Sequence, residues 1–350
     1  MLIGVALVVG WALLLWGGEW LVRGGVLLGR ILGWSTFVMG VFVISFGTSA
    51  PEFFATLHAH MHDASALALG NVVGSNIANV GLILGCGLLM STSAFSLRHH
   101  ALVQQSAVLG VATLLLVPMV IWLGIGWVTG AMMLATMAWY LWSLMSERPS
   151  HASHLSHTSH TSSGGHVLDD TRPCQPDTSD GAPSLVRASL LSMVGIVSLA
   201  LGAELLVYGA VEIALVFGLS QAFIGLTLLA LGTSLPELFA TIAALKHKAG
   251  DAPHDAHAMI IGNVMGSCFF NLLGILGIAS MLSSFPPEPR MSFDSVMLTM
   301  IMALWLWRVM RGGMMHRPFG VTLLCCYGLW LAMRSFLSTD LSSSFFPFMP

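Results

Sequence analysis

Gly47-Thr48-Ser49-Ala50-Pro51-Glu52 and Gly232-Thr233-Ser234-Leu235-Pro236-Glu237 are one phrase written twice, each copy inside a long apolar run. A carboxylate at membrane depth costs roughly 2.5–3.5 kcal/mol on insertion scales, so it marks function by default. The proline adds a second clue. Pro51 has no N–H for the carbonyl of Gly47, and Pro236 none for that of Gly232. In hydrocarbon a freed carbonyl needs a partner, and a cation can serve. Each phrase thus offers Thr and Ser hydroxyls, freed backbone oxygens and a carboxylate within about two helical turns. Such hard oxygen ligands suit Ca²⁺ or Na⁺ rather than a soft metal.

The surroundings fix the class. The 350 residues are 56% hydrophobic and 8% charged, with mean hydropathy +0.84, which excludes a soluble globule and implies an all-α polytopic membrane protein. The bilayer is its first partner. No basic patch points to nucleic acid. The five cysteines show neither disulfide nor metal-site spacing and read as packing residues. The N-terminal apolar run lacks a basic n-region and reads as a first span rather than a cleaved signal.

Runs long enough to span fall near 2–29, 35–58, 64–91, 101–120, 124–145, 187–217, 221–246, 256–283, 292–310 and 319–337, which predicts ten transmembrane helices. With the N-terminus placed outside, the inside loops and helix ends carry ten Lys and Arg, against Arg290 and Arg334 outside. That bias puts both termini outside the cytoplasm, in a protein of the plasma or bacterial inner membrane. His58, His60 and His62 are then expected in an outer loop at the end of the second span.

The two halves repeat each other. Glu204 follows Glu19, and Glu237 follows Glu52, by 185 positions, with matched glycines and apolar residues between. Gly262 follows Gly70 by 192, so seven extra residues fall in the charged loop around Lys246 to His257. Five spans per half is an odd number, so the repeats must be inverted, and a binding site at their interface near the midplane follows. The expected divisions are 1–146 for the first repeat, 147–186 for a polar cytoplasmic linker, 187–337 for the second repeat and 338–350 for a tail. The linker carries His151, His154, His157 and His160 at every third position. These are candidate ligands of a metal-buffering tract, although the composition favours a solvated hinge.

A second matched pair lies on the next helix of each half. Asn71, Ser75 and Asn79 are spaced i, i+4, i+8 and form one polar stripe, as do Asn263, Ser267 and Asn271. Such stripes can serve helix packing, but four polar faces are most economically buried against each other. Glu19 has Arg23 at i, i+4 and, with Glu204 and Glu212, reads as structural or interfacial.

The doubled G-T-S-x-P-E and G-N-x-x-G-S-x-x-x-N motifs resemble the α-repeats of the sodium/calcium exchanger branch of the cation/calcium antiporter superfamily. The resemblance covers both halves. It implies no cofactor and places Ca²⁺ between Glu52 and Glu237 with the carbonyls of Thr48 and Thr233. It assigns Ser49, Ser75, Asn79, Ser234, Ser267 and Asn271, with the carbonyls of Ser45 and Ala230, to Na⁺ sites and a polar ring. Two features depart from the pattern. Asn stands at both 79 and 271, where relatives often have one Asp, and Cys268 stands opposite Asn76. A site with two acidic groups balances one Ca²⁺ or two Na⁺, which leaves a third Na⁺ open. The implied activity is Ca²⁺/Na⁺ antiport, not catalysis, with Ca²⁺/H⁺ antiport as the alternative. An intramembrane metalloenzyme would need His or Cys ligands with zinc spacing in a span, and there are none. A channel fits duplicated halves within one chain less well than rocking around a central site.

Overall fold

The computed structural model describes residues 2–96, 100–146, 184–216, 230–246 and 253–338. The His-rich tract with His151, His154, His157 and His160, the start of the seventh predicted span and nearly all of the tail lie outside these residues. Among the described residues, each of the ten predicted intervals contains helix. The first five are Leu2–Leu32, Thr36–Thr48 with Ala50–Met61, Ser65–Met90, Leu102–Leu123 and Trp127–Ser146. The second five are Leu185–Val216, Ala230–Thr233 with Leu235–Lys246, Ala256–Leu282, Ser292–Met310 and Arg317–Ser338. Among the described residues, seven helices are long and apolar enough to cross a membrane, and the second-span pair makes an eighth. Strand among the described residues is confined to two two-residue segments, Phe95–Ser96 and Met314–Met315.

Local chemistry sets the ends and breaks. The first span stops at Leu32 because Gly33 takes φ 70°, a left-handed conformation natural to glycine. Ser35 then caps the second span, its Oγ accepting from the Val38 N–H at 3.3 Å. The second span breaks at Ser49 (φ −84°, ψ 7°) and bends by 46°. It resumes at Ala50 with Pro51 in its first turn, where a missing N–H costs nothing. The seventh span breaks at Ser234, the matching position. His58 and His60 are not loop residues as expected. They lie in the last turns of Ala50–Met61, and His62 caps that helix.

The inversion is visible in the contacts. The first and sixth spans pack along a seam of glycines seven residues apart. A Cβ on Gly10 would stand 3.0 Å from the carbonyl oxygen of Gly202, and one on Gly17 3.0 Å from that of Gly195. Early residues of one helix meet late residues of the other, so the helices that open the two halves run antiparallel. Gly10 and Gly195, and Gly17 and Gly202, are also counterparts in the repeat, so each contact is the image of the other. Helix association in lipid rests on such close van der Waals approach rather than on hydrophobic burial.

The rest follows the same two-fold exchange. The third span packs on the tenth as the eighth packs on the fifth, and the fourth packs on the ninth. Gly85 faces Gly320 in the first of these contacts, and Gly277 faces Gly130 in its image. Phe95 pairs with Met315 at one loop junction, and Ile125 bridges Phe285 at its counterpart. The third and eighth spans are almost wholly buried, while the first, fourth, fifth, sixth and ninth leave much surface exposed. Trp11, Leu114, Trp122, Trp142 and Met193 on that surface suit contact with lipid. The core is therefore the two stripe-bearing helices, wrapped by the rest.

Candidate functional site

The third and eighth spans cross where Asn76 meets Cys268, its own counterpart in the repeat, with the Cys268 Sγ 4.0 Å from the Asn76 carbonyl oxygen. The Cys268 departure thus falls on the two-fold axis. The Asn76 amide turns back to the Val72 carbonyl at 2.9 Å. Around this crossing lie the breaks of the second and seventh spans. Each break carries its carboxylate in the first turn of the helix that follows.

Glu52 and Glu237 are both 0% exposed. Each is reached by a serine from the opposite half: the Ser49 Oγ donates to Glu237 Oε1 at 2.8 Å, and the Ser234 Oγ to Glu52 Oε1 at 3.5 Å. The Ser267 Oγ reaches Glu237 Oε1 at 3.4 Å, whereas its counterpart, the Ser75 Oγ, is buried without a partner. Glu237 is therefore held by two hydroxyls and Glu52 by one. The second oxygen of each carboxylate, Oε2, is buried and unpaired.

The threonines and stripe asparagines form a second cross-link. The Thr233 Oγ1 lies 3.4 Å from Asn71 Oδ1, and the Thr48 Oγ1 lies 3.5 Å from Asn263 Oδ1. Thr48 is equally near the Ser45 carbonyl, at 3.3 Å, and its one proton serves one of the two. The Asn71 amide donates to the Glu52 carbonyl at 3.4 Å, and the Asn263 amide to the Glu237 carbonyl at 3.5 Å. Asn71 and Asn263 thus brace the broken helices, and the Ser45 hydroxyl is spent on the Val41 carbonyl. Ala230 opens the short helix Ala230–Thr233 that leads into the second break.

Asn79 and Asn271 behave differently. Both are 0% exposed, and neither amide has a partner at hydrogen-bonding distance. The neighbour of Asn79 is the weakly bonding Cys268 thiol. An unsatisfied buried polar group costs about 1–3 kcal/mol, so each of these calls for a physical reason. Each Asn also lies in a wide π-helical turn: Asn79 opens Asn79–Leu84, and Asn271 is the second residue of Phe270–Ile275. Such bulges frequently sit at functional sites. Glu52 Oε2, Glu237 Oε2 and the Ser75 Oγ are, like these amides, buried without a partner.

Two threonines went unread in the sequence. The Asn71 amide donates to the Thr56 Oγ1 at 2.9 Å, and Thr241, the counterpart of Thr56, is likewise buried. The signal was present, since Thr48, Glu52 and Thr56, like Thr233, Glu237 and Thr241, continue one i, i+4 stripe. Glu19 and Arg23 form the expected ion pair, in the interior of the first span.

The family model of the sodium/calcium exchanger protein matches residues 2–145 and 188–336. The chain belongs to the sodium/calcium exchanger family. It is 29% identical over 340 residues to a membrane protein of Methanocaldococcus jannaschii, a match covering 95% of this chain and 98% of that one. It is 25% identical to the sodium/calcium exchanger MaX1 of Methanosarcina acetivorans, covering 95% and 98% of the two chains. The solved structure of the sodium-calcium exchanger NCX_Mj, soaked with Na⁺ and Ca²⁺, superposes with a TM-score of 0.75 at 27% identity, covering 95% of this chain and 98% of that one. This member of the exchanger family is thus a membrane antiporter by family rather than an enzyme.

Proposed function

We propose that this exchanger moves Ca²⁺ against Na⁺ by alternating access, with Glu52 and Glu237 as a shared anionic centre. The observation that carries this reading is the crossed pair Ser49 to Glu237 and Ser234 to Glu52, set beside unpaired buried oxygens. One cluster of oxygens can be neutralised by one divalent ion or by monovalent ions, but not by both at once, and that exclusion couples the two fluxes. In this reading Ca²⁺ lies between the carboxylates with the Thr48 and Thr233 carbonyls. Na⁺ takes positions around Ser45, Ser49, Ser75, Asn79, Ala230, Ser234, Ser267 and Asn271. The same reading puts both termini outside the cytoplasm, the 147–186 segment inside, and repeats at 1–146 and 187–337.

Ca²⁺/H⁺ exchange through the same centre is the second reading. It is favoured by the neutral Asn at both 79 and 271, because two protons on two carboxylates balance one Ca²⁺. Uptake of ⁴⁵Ca²⁺ into proteoliposomes separates the two. An outward Na⁺ gradient is expected to drive uptake at equal pH on both sides. Uptake driven by a pH gradient in the absence of Na⁺ would replace the first reading by the second.

Asn79→Ala and Asn271→Ala each remove a neutral ligand, an effect of about 1 kcal/mol or somewhat more. Each is expected to raise the Na⁺ concentration needed for half-maximal exchange by roughly fivefold to tenfold, with a smaller change in Ca²⁺ affinity. Titration of exchange against Na⁺ and Ca²⁺ separately checks this. Equal shifts for both ions would remove the two asparagines from the Na⁺ positions.

A further inference from the structure

The stretch His58-Ala59-His60-Met61-His62 closes the second span and takes no part in the site described above. His60 is buried. Its Nδ1 meets the Ser65 Oγ at 3.1 Å, its Nε2 meets the Ser283 carbonyl oxygen at 2.9 Å, and its ring stacks on Phe285 at 3.8 Å. That contact ties the end of the helix to the end of the eighth span. His58, Met61 and His62 instead point outward and are exposed.

We propose that His58 and His62, with Met61 beside them, form a chelating site for a borderline or soft metal ion, Zn²⁺ or Cu²⁺, distinct from the transport site. The two histidines are spaced i, i+4, the spacing that sets two imidazoles on one helical face for a shared metal. Their rings already converge, with centroids 4.2 Å apart. The His62 Nδ1 lies 2.8 Å from the His58 carbonyl oxygen. A carbonyl only accepts, so Nδ1 carries the proton and Nε2 keeps its lone pair, the tautomer that a metal-binding imidazole needs. Met61, at i+3, puts a thioether on the same arc of helix and biases the donor set further toward soft ions. The buried His60 between them fixes the frame that displays the pair. Imidazole suits first-row transition metals, while Ca²⁺ seeks six to eight oxygens, so the two kinds of cation do not compete here. Water completes the coordination. About 9 Å of helix separates His58 from Glu52, at 1.5 Å per residue.

The test is peptide-resolved carbethoxylation of the full-length protein in detergent by diethyl pyrocarbonate, read by mass spectrometry. It reports His58 and His62 apart from the histidines of the linker. Micromolar Zn²⁺ is expected to slow modification of His58 and His62 at least tenfold, while millimolar Ca²⁺ leaves both rates unchanged. In H58Q the protection of His62 is expected to disappear. Unchanged labelling with Zn²⁺ would overturn the proposal, and so would protection of His62 that persists in H58Q. None of these outcomes depends on which ions the protein exchanges.

Discussion

Glu52→Gln and Glu237→Gln are each expected to lower Ca²⁺ exchange in proteoliposomes by at least about a hundredfold, which corresponds to a loss of only about 3 kcal/mol. Glutamine keeps the shape of the side chain and one carbonyl oxygen, so the Ser49 hydroxyl can still donate at position 237. The substitution takes away one of two charges facing a divalent ion in a poorly solvated space, where Coulomb attraction is strong. The fold is expected to tolerate the change, because the like-charged neighbour and the desolvation of a buried carboxylate both disappear. Measuring ⁴⁵Ca²⁺ exchange beside thermal stability in detergent distinguishes loss of function from loss of fold. Wild-type-like exchange in either variant would mean that the doubled motif is a packing device and that the anionic centre lies elsewhere.

The second large effect is steric. A Cβ on Gly262 would stand 2.4 Å from the Phe37 carbonyl oxygen, and one on Gly40 would stand 2.4 Å from that of Met259. These are backbone atoms, so relief requires the second and eighth spans to move apart. Overpacking of this kind costs about 1–3 kcal/mol and sometimes more. The same two helices carry Thr48 and Asn263, which meet across the contact at 3.5 Å. Gly262→Ala and Gly40→Ala are therefore expected to lower the midpoint of thermal unfolding by roughly 3 °C or more and to reduce exchange at least tenfold. Gly4→Ala and Gly328→Ala, where a Cβ would meet nothing within 4 Å, are the matched controls. A Gly262→Ala protein indistinguishable from these controls would show that the close approach is dispensable.

Much of this was legible in the residues themselves. The doubled phrase, the offset between Glu52 and Glu237 and the stripes Asn71–Asn79 and Asn263–Asn271 predicted which helices meet. A buried polar face on one helix requires a buried polar face on another. The widened turns at Asn79–Leu84 and Phe270–Ile275 were not legible, because one extra residue in a turn leaves no trace in hydropathy. The burial of His60 was hidden too, since its partners Ser283 and Phe285 lie more than two hundred positions away. The glycine seam is an intermediate case. The seven-residue spacing of Gly10, Gly17 and Gly24, and of Gly195, Gly202 and Gly209, stands openly in the sequence. Only the antiparallel contact reveals it as one surface. The difference between Glu52 and Glu237 in their serine contacts could not be foreseen, because the two copies of the motif are alike.

The breaks at Ser49 and Ser234 have an electrostatic consequence of their own. Each ends one short helix and begins another, so each turns a carbonyl-bearing end and an N–H-bearing end toward the same space. A helix end carries about half an elementary charge, negative at the carboxyl end and positive at the amino end. Glu52 and Glu237 sit in the first turns of the second pieces, where the positive end eases the crowding of two anions. In the proposed site, the carbonyls of the first pieces would add to the attraction for a cation. The two-fold relation sets one such dipole pair opposite its inverted copy. In the proposed exchange, a site built this way would favour neither face, leaving the ion gradients on its two sides to set which way the exchange runs.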